Sequence, residues 1–252
     1  MSLSWLFCSM LCTSAAPQMD WYTRTLTLVA RADGRLIVGV QSTPAQSAAT
    51  LERAREVAVA ALIAAVGALP LSDERSLGEA LAERPELSAT LAALARDFRV
   101  LGSRFDAHGG VELTVQLALS APLVARLVAG LCGRAGPLPR VPGGYTGIVI
   151  DGRDLQPAPR PALLPRLLDG AGRPIFDAHS PAVDLCAQNG PLAYVGSLEA
   201  ALIDPRVADR PLVLRPRAVH GRCDLVLTEA DRARLLPLTA LLSAARMVWV
   251  LP

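Results

Sequence analysis

The stretch FRVLGSRFDAHGGVELTVQLAL, residues 98–119, decides how this chain is read. Val111, Leu113, Val115, Leu117 and Leu119 alternate with Glu112, Thr114 and Gln116. Successive side chains on a strand point to opposite faces, so this alternation specifies a sheet with one buried and one wetted side. DAHGG, residues 106–110, supplies the turn, and residues 98–105 supply the partner strand of a hairpin.

Working outward, residues 26–40 read as two short strands about an Asp33–Gly34 turn. Residues 45–69 read as a helix that enters from the surface with Glu52, Arg53, Arg55 and Glu56. It is uncharged from Val57 to Leu69, which predicts burial nearly all round, and Gly67 and Pro70 end it. Ser76 with Glu79 forms a capping box, and Pro85 opens a further helix to about Phe98. Ser120 caps a helix whose apolar stripe is Leu123, Val124, Leu127, Val128 and Leu131. Residues 133–144 are rich in Pro and Gly and lack periodicity, the composition of a linker. Beyond it come a strand in YTGIVI (145–150), a hairpin about Gly170 and Gly172, and a short strand AYV (193–195). A Ser197-capped helix follows and stops before Pro205. Two strands flank the His220–Gly221 turn, a Thr228-capped helix is interrupted at Pro237, and ARMVWVLP ends the chain as a strand. The fold class is therefore α+β: a helix-covered antiparallel sheet domain followed by a second small mixed α+β domain. The boundaries are 1–20 for a signal segment, 21–132, the linker 133–144, and 145–252.

Composition narrows the function. Half of the residues are apolar, enough for a packed core. All basic residues are arginine, the net charge is +2 and no basic cluster occurs, which argues against a nucleic-acid partner. Leu3 to Ala16 carries no charge and ends in Ser14, Ala15 and Ala16. That is shorter than the roughly 20 residues of a membrane span, and it fits the apolar and cleavage regions of a secretory signal without a basic start. Cys8 and Cys12 do not fit a lipid-anchor site, since Phe7 and Leu11 precede them. Cys132, Cys186 and Cys223 form no C-x-x-C pair; they allow at most one internal disulfide and read as small buried residues.

Chemistry-bearing residues are sparse. His108 and His220 precede glycines in turns, and Asp177 with His179 offers two metal ligands where a site needs more. His179–Ser180 adjacency makes no nucleophile–base pair, no G-x-S-x-G occurs, and Cys186 reads as a buried thiol. Asp151 follows an apolar strand and Asp154 lies three residues on. Gly152 and Pro157 place them in a turn that splays them, with Asp151 accepting backbone N–H groups and pairing with Arg153. No catalytic, cofactor-binding or metal-binding residue is assigned, and no cofactor is expected.

The order of features in GYTGIVIDGRDLQPAPRPALLPRLLDGAGRPIFD (144–177), AYVGSLEAALIDPRVADRPLVLRPRAV (193–219) and DLVLTEADRARLL (224–236) resembles a group of exported bacterial envelope proteins. These are related to the small outer-membrane lipoproteins that include the flagellar basal-disk lipoprotein. The resemblance rests on T-G-x-x-x-D at Thr146, Gly147 and Asp151, and on P-R-x-L-D at Pro165, Arg166, Leu168 and Asp169. It departs where the lipid-anchor cysteine should stand. The resemblance implies no catalytic residues. It implies an architectural or assembly role in the periplasm or at the outer membrane, with envelope or flagellar partners or further copies of the chain. Association with the membrane would be peripheral, without a transmembrane span. The alternative is a small hydrolase or ligand-binding protein using an inter-domain cleft, with Asp151, Asp154 and Asp177 as its acids. A third reading is a cytosolic module whose apolar N-terminus is core.

Overall fold

The computed structural model describes residues 16–34, 43–119, 127, 131 and 144–252. The apolar segment before residue 16, the second strand expected over 35–40, the helix expected from Ser120, Cys132 and the linker up to residue 143 lie outside these residues. Leu127 and Leu131 are the exceptions: the first is buried in the core below the leading sheet and the second packs against it.

The first unit runs β1 (Gln18–Asp20), β2 (Thr25–Ala32), α1 (Pro44–Gly67), α2 (Leu77–Ala82), α3 (Pro85–Arg96), β3 (Arg99–Phe105) and β4 (Val111–Ala118). Its strands form one antiparallel sheet in the order β1-β2-β4-β3. The alternation in β4 is realised as expected: Val111, Leu113, Val115 and Leu117 are buried. They lie opposite Ala32, Ala30, Leu28 and Leu26 of β2, which are buried in step. Placing like faces together across a strand pair is what fixes the register, because a one-residue slip would expose the whole row. β1 takes residues 18–20 of the segment 1–20 into this sheet.

Helix α1 starts at a capping box that the sequence reading passed over. The Thr43 hydroxyl accepts the Gln46 N–H, and Gln46 Oε1 accepts the Thr43 N–H at 2.9 Å. Its buried residues are Thr50, Ala54, Ala58, Ala61, Leu62 and Val66, a single stripe. The expected burial nearly all round over 57–69 is corrected: Ala60, Ala64 and Ala68 are exposed. An uncharged Ala-rich run is permitted inside but is driven there only where a second layer covers it. The Ser76–Glu79 box at α2 and the Pro85 start of α3 form as read.

The second unit runs β5 (Gly147–Asp151), β6 (Leu167–Leu168), β7 (Pro174–Phe176), α4 (Val183–Asn189), β8 (Ala193–Val195), α5 (Leu198–Leu202), β9 (Pro211–Leu214), β10 (Ala218–His220), β11 (Asp224–Val226) and α6 (Glu229–Leu235). A 3-10 turn (Leu236–Leu238) at Pro237, α7 (Thr239–Ser243) and β12 (Met247–Val250) complete it. β8-β12-β5-β9 is a wholly parallel sheet, and β10-β11-β6-β7 is a smaller mixed one. Every residue of β5 and β12 is buried. Ile148, Ile150, Met247 and Trp249 enter one core, and Val149, Val248 and Val250 enter another on the opposite face. A parallel sheet covered on both sides needs this continuous apolar run.

The two units interlock. Leu164 and Cys186 belong to the first core, and Trp21 packs against the cores of both units. Leu163 N–H donates to Pro70 O at 2.9 Å, Leu164 N–H to Leu71 O at 2.7 Å, and Arg24 Nη2 to Leu192 O at 2.8 Å.

Candidate functional site

The carboxyl ends of parallel strands are where α/β sheets place ligands. Here β5 ends on Asp151, whose carboxyl is buried. Arg153 closes on it from the following turn: Nε donates to Oδ1 at 2.9 Å and Nη2 to Oδ2 at 3.0 Å. These bonds hold the Asp151 carboxyl below the usual carboxylate range against the opposing effect of burial, with Arg215 adding a weaker attraction. Asp154 is exposed in the same turn. The two carboxyls therefore occupy different environments. Asp151 is already bound through both oxygens, which leaves it ill-suited to proton transfer.

The remaining motif residues are explained by what they touch. Thr146 Oγ1 donates to Val207 O at 2.6 Å and accepts the Arg210 N–H at 2.8 Å, tying the start of β5 to the loop after α5. At Gly147 a side chain would overlap the Val207 backbone, so this position admits only glycine without rearrangement. Asp169, buried at the β6–β7 turn, accepts the N–H groups of Ala171 and Arg173 at 2.9 Å each and Arg173 Nε at 2.8 Å. Its pKa is lowered by the Arg173 backbone bond first, then by the side-chain bond, with burial opposing. Arg166 reaches across 58 residues to Asp224, which is fully buried on β11. It donates to that carboxylate from Nε at 2.7 Å and from its backbone N–H at 2.8 Å. Its Nη2 donates to Glu74 of the first unit at 2.9 Å. Each buried aspartate of the second unit is thus met by an arginine.

A groove of about 420 Å³ lies between the units. Leu71, Leu131 and Leu164 line its apolar part, and Arg75, Arg84, Arg166, Glu83, Asp177 and His179 line its polar part. Of the acids considered for a cleft, Asp177 is there and Asp151 and Asp154 are not. Asp177 Oδ1 accepts the His179 N–H at 2.9 Å and the Ser180 hydroxyl at 3.1 Å, the pattern of a turn. Arg75 is paired with Glu83 at 3.0 Å. His108 and His220 are exposed at separate turns. Among the described residues no three His, Cys, Asp or Glu side chains gather as metal ligands.

Cys186 and Cys223 are both buried. Burial pushes the Cys223 thiol up, and the Asp224 carboxylate adds to this. Two arginines with no local signal in the sequence bind carbonyls of the second unit: Arg24 reaches Leu192 O from the first unit, and Arg206 lies in the second. Arg206 Nη1 donates to Gly190 O at 3.1 Å, and its pKa is lowered to about 10 by burial and then by neighbouring Arg24. Nothing local in the sequence marks either residue, because their partners are carbonyls distant along the chain. Asp224 did carry a signal: it is an acid inside the apolar run CDLVL.

The second unit is thus a parallel-sheet α/β module whose buried acids are neutralised by arginines. Residues 147–251 match the family described as the second domain of Treponema pallidum Tp0624, a bacterial protein family. The match covers nearly all of the second unit and none of the first. No curated protein matches the chain. Among the described residues no helix is long and apolar enough to cross a membrane.

Proposed function

We propose that this protein is a non-enzymatic component of a bacterial cell envelope, exported to the periplasm or the outer membrane, with an architectural or assembly role. Its partners are envelope or flagellar proteins or further copies of itself. The observation that carries this reading is the state of the buried acids. Asp151, Asp169 and Asp224 are all engaged by arginine, so none is left to act on a substrate. The motif residues Thr146, Gly147, Asp151, Arg166 and Asp169 serve the fold by the same contacts. The match to a domain of a bacterial protein supports a module that is reused beside other domains. The test is fractionation of cells followed by a native pull-down, with mass spectrometry of the mature N-terminus. Recovery in the envelope with stoichiometric protein partners is the expected result. Recovery in the cytosol with an intact apolar N-terminus would refute it.

The groove between the units favours a second reading, ligand binding, because its volume suits a small molecule. Its polar groups would be Arg84, Asp177 and His179 in place of Asp151 and Asp154. Alanine at Asp177 and His179 separates the two readings: loss of a specific activity from a folded protein favours the groove.

A further inference from the structure

The second unit holds a loop of the first unit in a way that goes beyond packing. Residues 70–76 form a tight turn. Pro70 and Ser76 pair as an antiparallel bridge, and Arg75 O accepts the N–H groups of Leu71 at 3.0 Å and Ser72 at 3.1 Å. The turn projects two adjacent acids, Asp73 and Glu74, and each meets a prepared partner. Asp73 Oδ1 accepts the backbone N–H of Arg222, and Arg222 Nη2 donates to Asp73 O at 3.1 Å. The Asp73 carboxyl lies so close over Gly221 that any side chain there would overlap it. Gly221 has φ +60, so the β10–β11 turn needs glycine both for its own shape and for the carboxylate to approach. Glu74 takes Arg166 Nη2 at 2.9 Å, and Arg166 is aimed by the fully buried Asp224. Backbone bonds from Leu163 and Leu164 to Pro70 and Leu71 fix the base of the turn.

All of the receiving groups, Leu163, Leu164, Arg166, Gly221, Arg222 and Asp224, lie within the span that matches the Tp0624 second-domain family. All of the inserted groups lie outside it. The receiving surface therefore belongs to the module, and the inserted turn belongs to what precedes it.

We propose that this surface is a socket for an acidic turn, filled in cis by Asp73 and Glu74, and that an assembly partner presenting two adjacent acids at a turn competes for it. Adjacent carboxylates suit the socket because one is read by a glycine-flanked backbone N–H and the other by a pre-oriented guanidinium. The cis turn keeps the socket closed through its high effective concentration, so a partner binds when that turn is displaced. This rests on the assembly reading only for the partner's identity as an assembly component.

The test uses the full chain and a fluorescein-labelled cyclic peptide carrying residues 69–77, read by fluorescence anisotropy. The Asp73→Gly/Glu74→Gly variant should bind the peptide at least tenfold more tightly than the unaltered chain. A peptide with Asp73→Asn and Glu74→Gln should lose that binding, as should addition of Arg222→Ala to the protein variant, with circular dichroism confirming the fold. Binding should weaken as salt rises. A peptide that binds neither protein, binds both equally, or binds equally well in its amide form overturns the socket. The assay needs no cellular compartment, so its failure leaves the fractionation test of the assembly role untouched, and the reverse holds.

Discussion

Strand β4 of the first unit and strand β12 of the second are both made largely of apolar residues, yet they are built on different terms. β4 buries every other side chain beneath one layer of helices and turns Glu112, Thr114 and Gln116 outward. β12 buries all four of its residues between two cores. The difference decides where charge can live. In the first unit Arg31, Arg104 and Glu112 occupy the outer face, where water solvates them. In the second, β5 and β12 have no outer face, and the buried acids Asp151, Asp169 and Asp224 sit at strand ends or turns, each held by a fixed cation. A buried carboxylate without one would face a desolvation cost of several kcal/mol.

The comparison can be broken by substitution. Trp249→Ala in β12 should cost about 4 kcal/mol and Leu113→Ala in β4 about 3 kcal/mol in urea unfolding, since both are fully buried. The Trp249 indole N–H is buried without an acceptor among the described residues, which draws its figure toward that of Leu113. A cost below about 1 kcal/mol at both positions would show that neither core is packed as described.

The acids should diverge more sharply. Asp224→Ala removes the buried partner of the Arg166 Nε and backbone N–H and should destabilise by about 3 kcal/mol, whereas Glu112→Ala on the wetted face should stay within about 0.5 kcal/mol. A small effect at both positions would sink the claim that buried acids depend on their arginines.

Acid titration sharpens the same point. The Asp151 carboxyl is held below its ordinary value, so its contribution is complete above an unfolded value of about 4. That contribution is lost as pH falls through the lower folded value. Asp151→Asn should therefore be clearly less stable than the unaltered chain at pH 7, and the gap should close on acidification. A gap that persists at low pH would assign the loss to packing. A more modest loss, about 1 kcal/mol, is expected at Ser76→Ala, from loss of the α2 cap bond to the Glu79 N–H.

Legibility followed the same division. The alternation in β4, the Ser76, Ser197 and Thr228 caps and the β6–β7 hairpin were readable because each depends on residues within a few positions of one another. The pairing of Asp151 with Arg153 was readable for the same reason. The Thr43–Gln46 box was equally local and was passed over, so it was legible and unread. The one-sided burial of α1 was not legible, since alanine fits a core or a surface alike. Nor was the Arg166–Asp224 pair, whose members are 58 residues apart. For the candidate sites, the nearness of Asp177 and His179 was visible, while their turn and their place on a groove with Arg75 and Arg84 were not.

By itself the sequence determined the α+β class, the existence of most elements and the two-faced polarity of β4, because side-chain periodicity and capping act over a few residues. Only the tertiary structure decided that four strands of the second unit run parallel, that its acids are clasped by arginines, and that an acidic turn of the first unit lies on Gly221 and Arg222. The reason is physical: parallel pairing and buried ion pairs join segments separated by tens of residues. Their free energy depends on which surfaces meet, and no local pattern encodes that.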